Sequence, residues 1–244
     1  SFRHIFVQNE YSKNLIRKVG IENNVSVSGD TRFDRVIDIA QKGEAVPFIR
    51  DFIGQHPVLV AGSTWEDDEV ELIHYVRLHP EIKFIIAPHE IDAENLADVK
   101  KEFSNAIFYS ELSNRQDVAS KANVLIIDNI GMLSRLYQYA DITYVGGGFG
   151  SDGIHNVLEA AVYGKPVVFG PVYEKFAEAR DLVENGGAFS INNALELEKK
   201  LDELFSQKDS LALAGKAAGD YVQSKRGATR QIMDYVTENR LLTN

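Results

Sequence analysis

Five glycines fall within eight residues at Gly146, Gly147, Gly148, Gly150 and Gly153, between the β-branched run Ile142-Thr143-Tyr144-Val145 and a stretch of helical character from about His155 to Tyr163. Glycine lets another molecule approach backbone N–H groups closely, and a helix start adds unpaired amides and partial positive charge at the same point. A strand, glycine loop and helix in that order therefore suit a phosphate. Asn156 and Glu159 are three apart. On a helix they share a face, where an amide carbonyl or a carboxylate can meet the hydroxyls of a sugar carried by that phosphate. Gly164-Lys165-Pro166 stops the helix before the apolar Val167-Val168-Phe169. The same residues also fit a plain βα turn whose glycines serve packing and whose Glu159 complements the helix dipole, because no G-x-G-x-x-G run is followed by an acidic residue about twenty positions on.

Two further segments that follow apolar runs carry polar chemistry. Gly62-Ser63-Thr64 precedes Glu66-Asp67-Asp68-Glu69, a good helix-capping pattern that is also able to grip a phosphate or carboxylate. Asp67 and Asp68 read as complements of the helix dipole rather than metal ligands. Pro88-His89-Glu90 offers a histidine that is either a ligand contact or simply solvated. No G-x-S-x-G elbow, Walker A run or H-E-x-x-H is present. The six histidines are scattered and there is no cysteine, so neither a zinc-like spacing nor a thiol nucleophile arises. These residues suit grasping a phosphorylated sugar or nucleotide without a metal or cofactor, and none is assignable as catalytic.

Positioning such loops requires a parallel sheet. Seven short apolar segments, at 58–61, 84–87, 107–109, 124–127, 142–145, 167–169 and 188–190, alternate with helical-period stretches at 67–78, 93–103, 131–139, 156–163 and 177–184. Strands alternating with helices of this length predict an α/β fold, a Rossmann-like parallel sheet covered on both faces. Ligands of such sheets sit outside the carboxyl ends of the strands, where the loops above lie. Residues 1–35 read as one βαβ unit with no sheet to join, and 36–57 as a helical connector. Residues 194–242 are helix upon helix, with a stripe of Ile232, Tyr235 and Val236 suited to packing on residues 1–35. The 244 residues are 44% hydrophobic and 25% charged, with a net charge of −10. That balance is ordinary for a globular protein and gives no electrostatic support to a nucleic-acid partner. No apolar run approaches the roughly 18 to 20 residues that cross a bilayer.

The ordered set Gly62-Ser63-Thr64, His89, Asp128 with Gly131-Met132-Leu133, Gly146-Gly147 leading to Gly153-Ile154-His155-Asn156-Val157-Leu158-Glu159, then Gly164-Lys165-Pro166-Val167 and Phe169-Gly170-Pro171, resembles the donor half of the 3-deoxy-D-manno-octulosonic acid (Kdo) transferases. Val27 to Asp34 is similar to the segment that closes the N-terminal domain in that family. The resemblance implies the C-terminal half of a GT-B glycosyltransferase, with residues 58–225 as the nucleotide-sugar donor-binding domain and 226–244 as a helix crossing back to a unit, 1–35, of an N-terminal acceptor domain. It implies transfer of Kdo from CMP-Kdo to a lipid A precursor in lipopolysaccharide synthesis, at the cytoplasmic face of the bacterial inner membrane, with this chain a soluble piece that alone transfers nothing. The donor contacts it implies are Ser63, Thr64, His89, Gly147, Gly148, Gly153, His155, Asn156 and Glu159. Two positions depart from the family's pattern: Pro88 stands where an arginine is usual, and Lys175 where an asparagine is usual. The alternatives that the residues leave open are another GT-B enzyme acting on a UDP-sugar, whether transferase or epimerase, and a non-catalytic domain that binds sugar phosphates.

Overall fold

The computed structural model describes residues 2–114, 119 and 121–241; Ser1 and residues 242–244, the outer ends of the first and last expected segments, lie outside the described residues. Strands β1 (Ile5–Val7) and β2 (Val25–Val27) pair in parallel as a small sheet of their own. Then β3 (Val58–Thr64), β4 (Lys83–Pro88), β5 (Ala106–Phe108), β6 (Val124–Ile126), β7 (Ile142–Val145), β8 (Val167–Phe169) and β9 (Ala188–Ser190) form one sheet, in the order β5-β6-β4-β3-β7-β8-β9. Every pairing in it is parallel.

The strands read as unbroken apolar runs because both faces are buried. Along β3, Val58 and Val60 enter one core and Leu59 and Ala61 the other, as the period of two demands. The first core is closed by helices Thr31–Lys42, Ile49–Ile53, Leu158–Ala161, Ala177–Glu184 and Lys208–Ser224, through side chains such as Phe33, Ile37, Ile49, Leu158, Leu182 and Val222. The second is closed by Glu66–Leu78, Ala93–Glu102 and Ala194–Ser206, through Leu72, Tyr75, Val99, Leu197 and Leu201. The segment 36–57 is thus more than a connector: Val36, Ile37, Val46, Ile49 and Phe52 are all buried in the first core, and the helix Thr31–Lys42 runs through residue 35 without a break.

Strand order reverses around β3. The chain proceeds to β4 on one side and returns with β7 on the other, which is the arrangement that opens a crevice at the carboxyl ends. The final helix, Ala228–Glu238, lies against the small sheet: the Tyr235 ring is 4.5 Å from that of His4 and 5.4 Å from that of Phe6, and Gln231 Nε2 donates to the Val27 carbonyl at 3.1 Å. Asp34 closes the start of this helix, accepting from the amides of Gly227 and Thr229, each at 2.7 Å.

Candidate functional site

The carboxyl ends of β3, β4 and β7, neighbours in the sheet, converge on a cavity of about 550 Å3 lined by Trp65, Asp67, His89, Gly147 and the loop Gly150 to His155. The local backbone explains the convergence. At the end of β3 the register shifts between Gly62 and Thr64, and Ser63 adopts φ 53°, a left-handed conformation uncommon outside glycine. Ser63 is left half-exposed while Thr64 turns inward and is 1% exposed. The Thr64 hydroxyl donates to Glu69 Oε1 at 2.8 Å, and its carbonyl accepts the His89 amide at 2.8 Å. Thr64 therefore holds two loops in place and does not line the cavity.

The glycine loop is tied down from the same side. Asp68, fully buried, accepts from the Gly147 amide at 2.8 Å, the Trp65 amide at 3.0 Å and the Tyr144 hydroxyl at 2.7 Å. One carboxylate thus joins the loop after β3 to the loop after β7. Burial pushes its pKa up, and these three hydrogen bonds oppose that. Gly147 sits at φ 90°, which only glycine adopts freely, and a Cβ on Gly148 would come within 2.6 Å of the Gly170 amide nitrogen.

The helix after the loop is shorter than the sequence predicts. It spans only Leu158–Ala161, because the Ile154 amide is drawn to the Val172 carbonyl and the His155 amide to the Gly146 carbonyl, which keeps 153–156 out of the helix. Asn156 lies before the helix rather than on its face. Its Oδ1 accepts the Leu158 amide at 3.2 Å, and its Nδ2 donates to Glu159 Oε1 at 3.1 Å. Burial raises the Glu159 pKa, the Asn156 bond opposes the rise, and the positive charge of Arg35 acts in the same direction as that bond. A four-residue helix brings little dipole, and the amides of Gly146, Gly147, Gly150 and Gly153 already donate within the chain. The corner is consequently less of an anion cradle than its glycines suggest. The Lys175 side chain reaches this loop, its Cε lying 3.2 Å from where a Gly153 Cβ would stand.

Of the residues expected to touch a donor, His89, Gly147, Gly153 and His155 line the cavity together, whereas Ser63, Thr64, Gly148, Asn156 and Glu159 stand behind or beside it. Sequence reasoning missed Trp65 and the role of Asp68. Trp65, His89 and His155 form a near-parallel group, with Trp65–His89 centroids 4.4 Å apart at 23° and His89–His155 centroids 4.5 Å apart at 24°. Trp65 Nε1 donates to His155 Nε2 at 3.0 Å, so the proton of a neutral His155 ring resides on Nδ1. Burial, helped by the neighbouring His89, lowers the His155 pKa and favours that neutral form. A lone tryptophan next to the Gly62-Ser63-Thr64 loop was the available signal for this cluster; the packing that turns Asp68 inward left none.

No family model matches the chain. A bifunctional glycosyltransferase/methyltransferase of Fusobacterium nucleatum is 32% identical over 216 residues, covering 84% of this chain and 33% of that protein. A 3-deoxy-D-manno-octulosonic acid transferase of Aquifex aeolicus is 31% identical over 199 residues, 77% of this chain and 52% of that protein. The chain thus spans about half, or less, of the length of these curated relatives. Among solved structures, the C-terminal CMP-Kdo binding domain of WaaA from Acinetobacter baumannii superposes with a TM-score of 0.57 at 21% identity, over 75% of this chain and 98% of that one, a likeness of fold. Several Kdo transferases match along most of the chain, and its fold is that of a GT-B C-terminal domain, so the chain is a homologue of the Kdo transferases with the fold of their C-terminal part.

Proposed function

We propose that this chain binds the nucleotide-sugar donor CMP-Kdo for a glycosyltransferase that passes Kdo to a lipid A precursor. The observation that carries this reading is the convergence of the loops after β3, β4 and β7 on one cavity at the strand-order reversal, in a chain 31% identical over 199 residues to a Kdo transferase. Donor phosphate would lie along the Gly147 to Gly153 loop, with Lys175 supplying the charge that the short helix does not. Asn156 and Glu159, already hydrogen-bonded to each other, would turn toward the ribose, and Ser63 and His89 would face it across the cleft. Charge developing on the departing CMP phosphate would then be met chiefly by the Lys175 ammonium. The small sheet of β1 and β2, clasped by the final helix, would belong to the acceptor side, with the acceptor itself and the membrane face engaged through the rest of the enzyme.

Calorimetric titration of the purified chain with CMP, UMP and UDP tests the donor assignment. CMP is expected to bind more tightly than either uridine nucleotide. Tighter binding of UDP would sink the assignment in favour of a UDP-sugar enzyme.

A further inference from the structure

We propose that Asp68 takes up a proton when the donor phosphate settles on the Gly147 to Gly153 loop, so that donor binding is coupled to the charge of a carboxyl group behind that loop. This rests on the reading of the chain as a CMP-Kdo binder and adds a proton to its binding step. Asp68 is fully buried, and Glu69, next to it on the same helix, is buried as well. The charges that act on this pair are all negative, Asp67 on Asp68, and Asp68 with Glu66 on Glu69. Tyr144, facing Asp68 from β7, stays neutral because burial holds its hydroxyl far above the ordinary range. The nearest titratable rings are His89 and His155, reached through the stacked Trp65. Two adjacent buried carboxylates without a cation are costly, and burial pushes both carboxyls up against the hydrogen bonds that oppose it. An anion on the far side of the Gly147 amide would be a third negative charge at one point. The hydrogen bonds leave a place for a proton. Oδ2 of Asp68 accepts both amides, whereas Oδ1 meets the Tyr144 hydroxyl at 2.7 Å. A hydroxyl accepts as readily as it donates, so a proton on Oδ1 keeps that contact while Oδ2 goes on holding Gly147 and Trp65. The loop retains its shape as the charge beneath it is cancelled, and the Lys175 ammonium is then unopposed from behind.

Calorimetric titration with CMP in buffers of different ionisation enthalpy counts the protons taken up on binding, and is run on the native chain, Asp68→Asn and Tyr144→Phe at mildly acidic and mildly alkaline pH. The nucleotide phosphate, His89 and His155 titrate in all three proteins, so a difference between them belongs to Asp68. The native chain is expected to take up a larger fraction of a proton than Asp68→Asn. Its CMP affinity should also strengthen more steeply as pH falls, because the complex holds the proton better than the free chain does. Asp68→Asn is neutral at every pH and keeps a carbonyl for the two amides. It is expected to bind CMP about tenfold more tightly than the native chain at alkaline pH, the scale of one like-charge repulsion near a protein surface. Tyr144→Phe strips a donor from the ionised carboxylate, so its proton uptake should persist to higher pH. Equal uptake in the native chain and Asp68→Asn would overturn the proposal. Weaker CMP binding by folded Asp68→Asn at alkaline pH would also overturn it, showing that the charge itself holds the loop in its binding shape. Should Asp68→Asn not fold, Tyr144→Phe decides, and uptake with the native pH dependence would overturn the proposal. A native chain that binds no CMP at either pH would instead defeat the donor reading, and this proposal with it.

Discussion

Glu159 and His155 show how one short segment holds two groups whose ordinary charge states are disturbed in different ways. Glu159 is half-buried with its carboxylate bonded to Asn156. If it accepts from ribose hydroxyls, Glu159→Gln removes a charge-assisted bond worth about 1.5 to 3 kcal/mol, roughly ten- to a hundredfold in CMP affinity. Calorimetry showing a change under about twofold would reduce Glu159 to a helix-end residue. His155 accepts from the single tryptophan of the chain, so intrinsic fluorescence reports on that bond. Its folded pKa lies below the unfolded value of about 6.5. Above that pH the ring is neutral in both states and the Trp65–His155 bond is intact. Below it, the folded chain resists protonation until the pH falls through the lowered pKa, where the bond and its contribution to stability are lost. Emission from Trp65 is therefore expected to stay constant down to about pH 6.5 and to change only on the acid side, with reduced amplitude in His155→Gln. A transition on the alkaline side would contradict the depressed pKa.

At the scale of elements, single buried carboxylates join segments distant in sequence. Asp68 ties the loops after β3 and β7, and Asp34 ties helix Thr31–Lys42 to the start of the last helix. For Asp34, burial raises the pKa, but hydrogen bonds from Thr229 and Gly227 outweigh it and hold the carboxyl below its ordinary value. The stability it contributes is present above about pH 4 and is lost as pH falls through the lowered pKa. Asp34→Ala should cost about 2 kcal/mol, the scale of hydrogen bonds to a charged group. The last helix should loosen first, seen as faster hydrogen exchange at residues 229–236 than in β3. Equal protection of that helix in both proteins would show that ring contacts with His4 and Phe6 suffice to hold it.

Across the whole molecule the two sheets differ in how they are covered. Every residue of β4, β6, β7 and β8 is buried, whereas all of β1 is half-buried and only Val25 of β2 is buried. Helix Glu10–Lys18 has no buried residue, and Tyr11 and Val19 are each 72% exposed. A two-stranded parallel pair with so little cover should open locally without unfolding the rest. Native-state hydrogen exchange of this chain is expected to show Phe6 and Ser26 amides at least about tenfold less protected than those of Val60 and Ile85. Protection of both sheets to the same level would mean that they unfold as one cooperative unit.

The sequence alone determined the alternation of strands and helices, because a strand buried on both faces must be apolar throughout, and Val124 to Ile126 or Val167 to Phe169 has no other use for such a run. It also pointed to the glycine- and polar-rich loops after β3, β4 and β7, which the fold brings together at one cavity. Its ordered motifs, from Gly62-Ser63-Thr64 to Phe169-Gly170-Pro171, were enough to name the family. What it left undecided depended on partners far away along the chain. The helix after the glycine loop shortened because the amides of Ile154 and His155 found carbonyls at Val172 and Gly146. Asp68 became a clamp, not a dipole complement, because packing turned it toward Gly147 and Tyr144. Trp65, His89 and His155 come from three different loops, and only the order of β4, β3 and β7 in the sheet brings their rings within 4.5 Å of a neighbour. Local pattern encodes what a residue must be buried in or exposed to, but the identity of a hydrogen-bond or stacking partner is set by strand order and register, which arise only when the chain closes on itself.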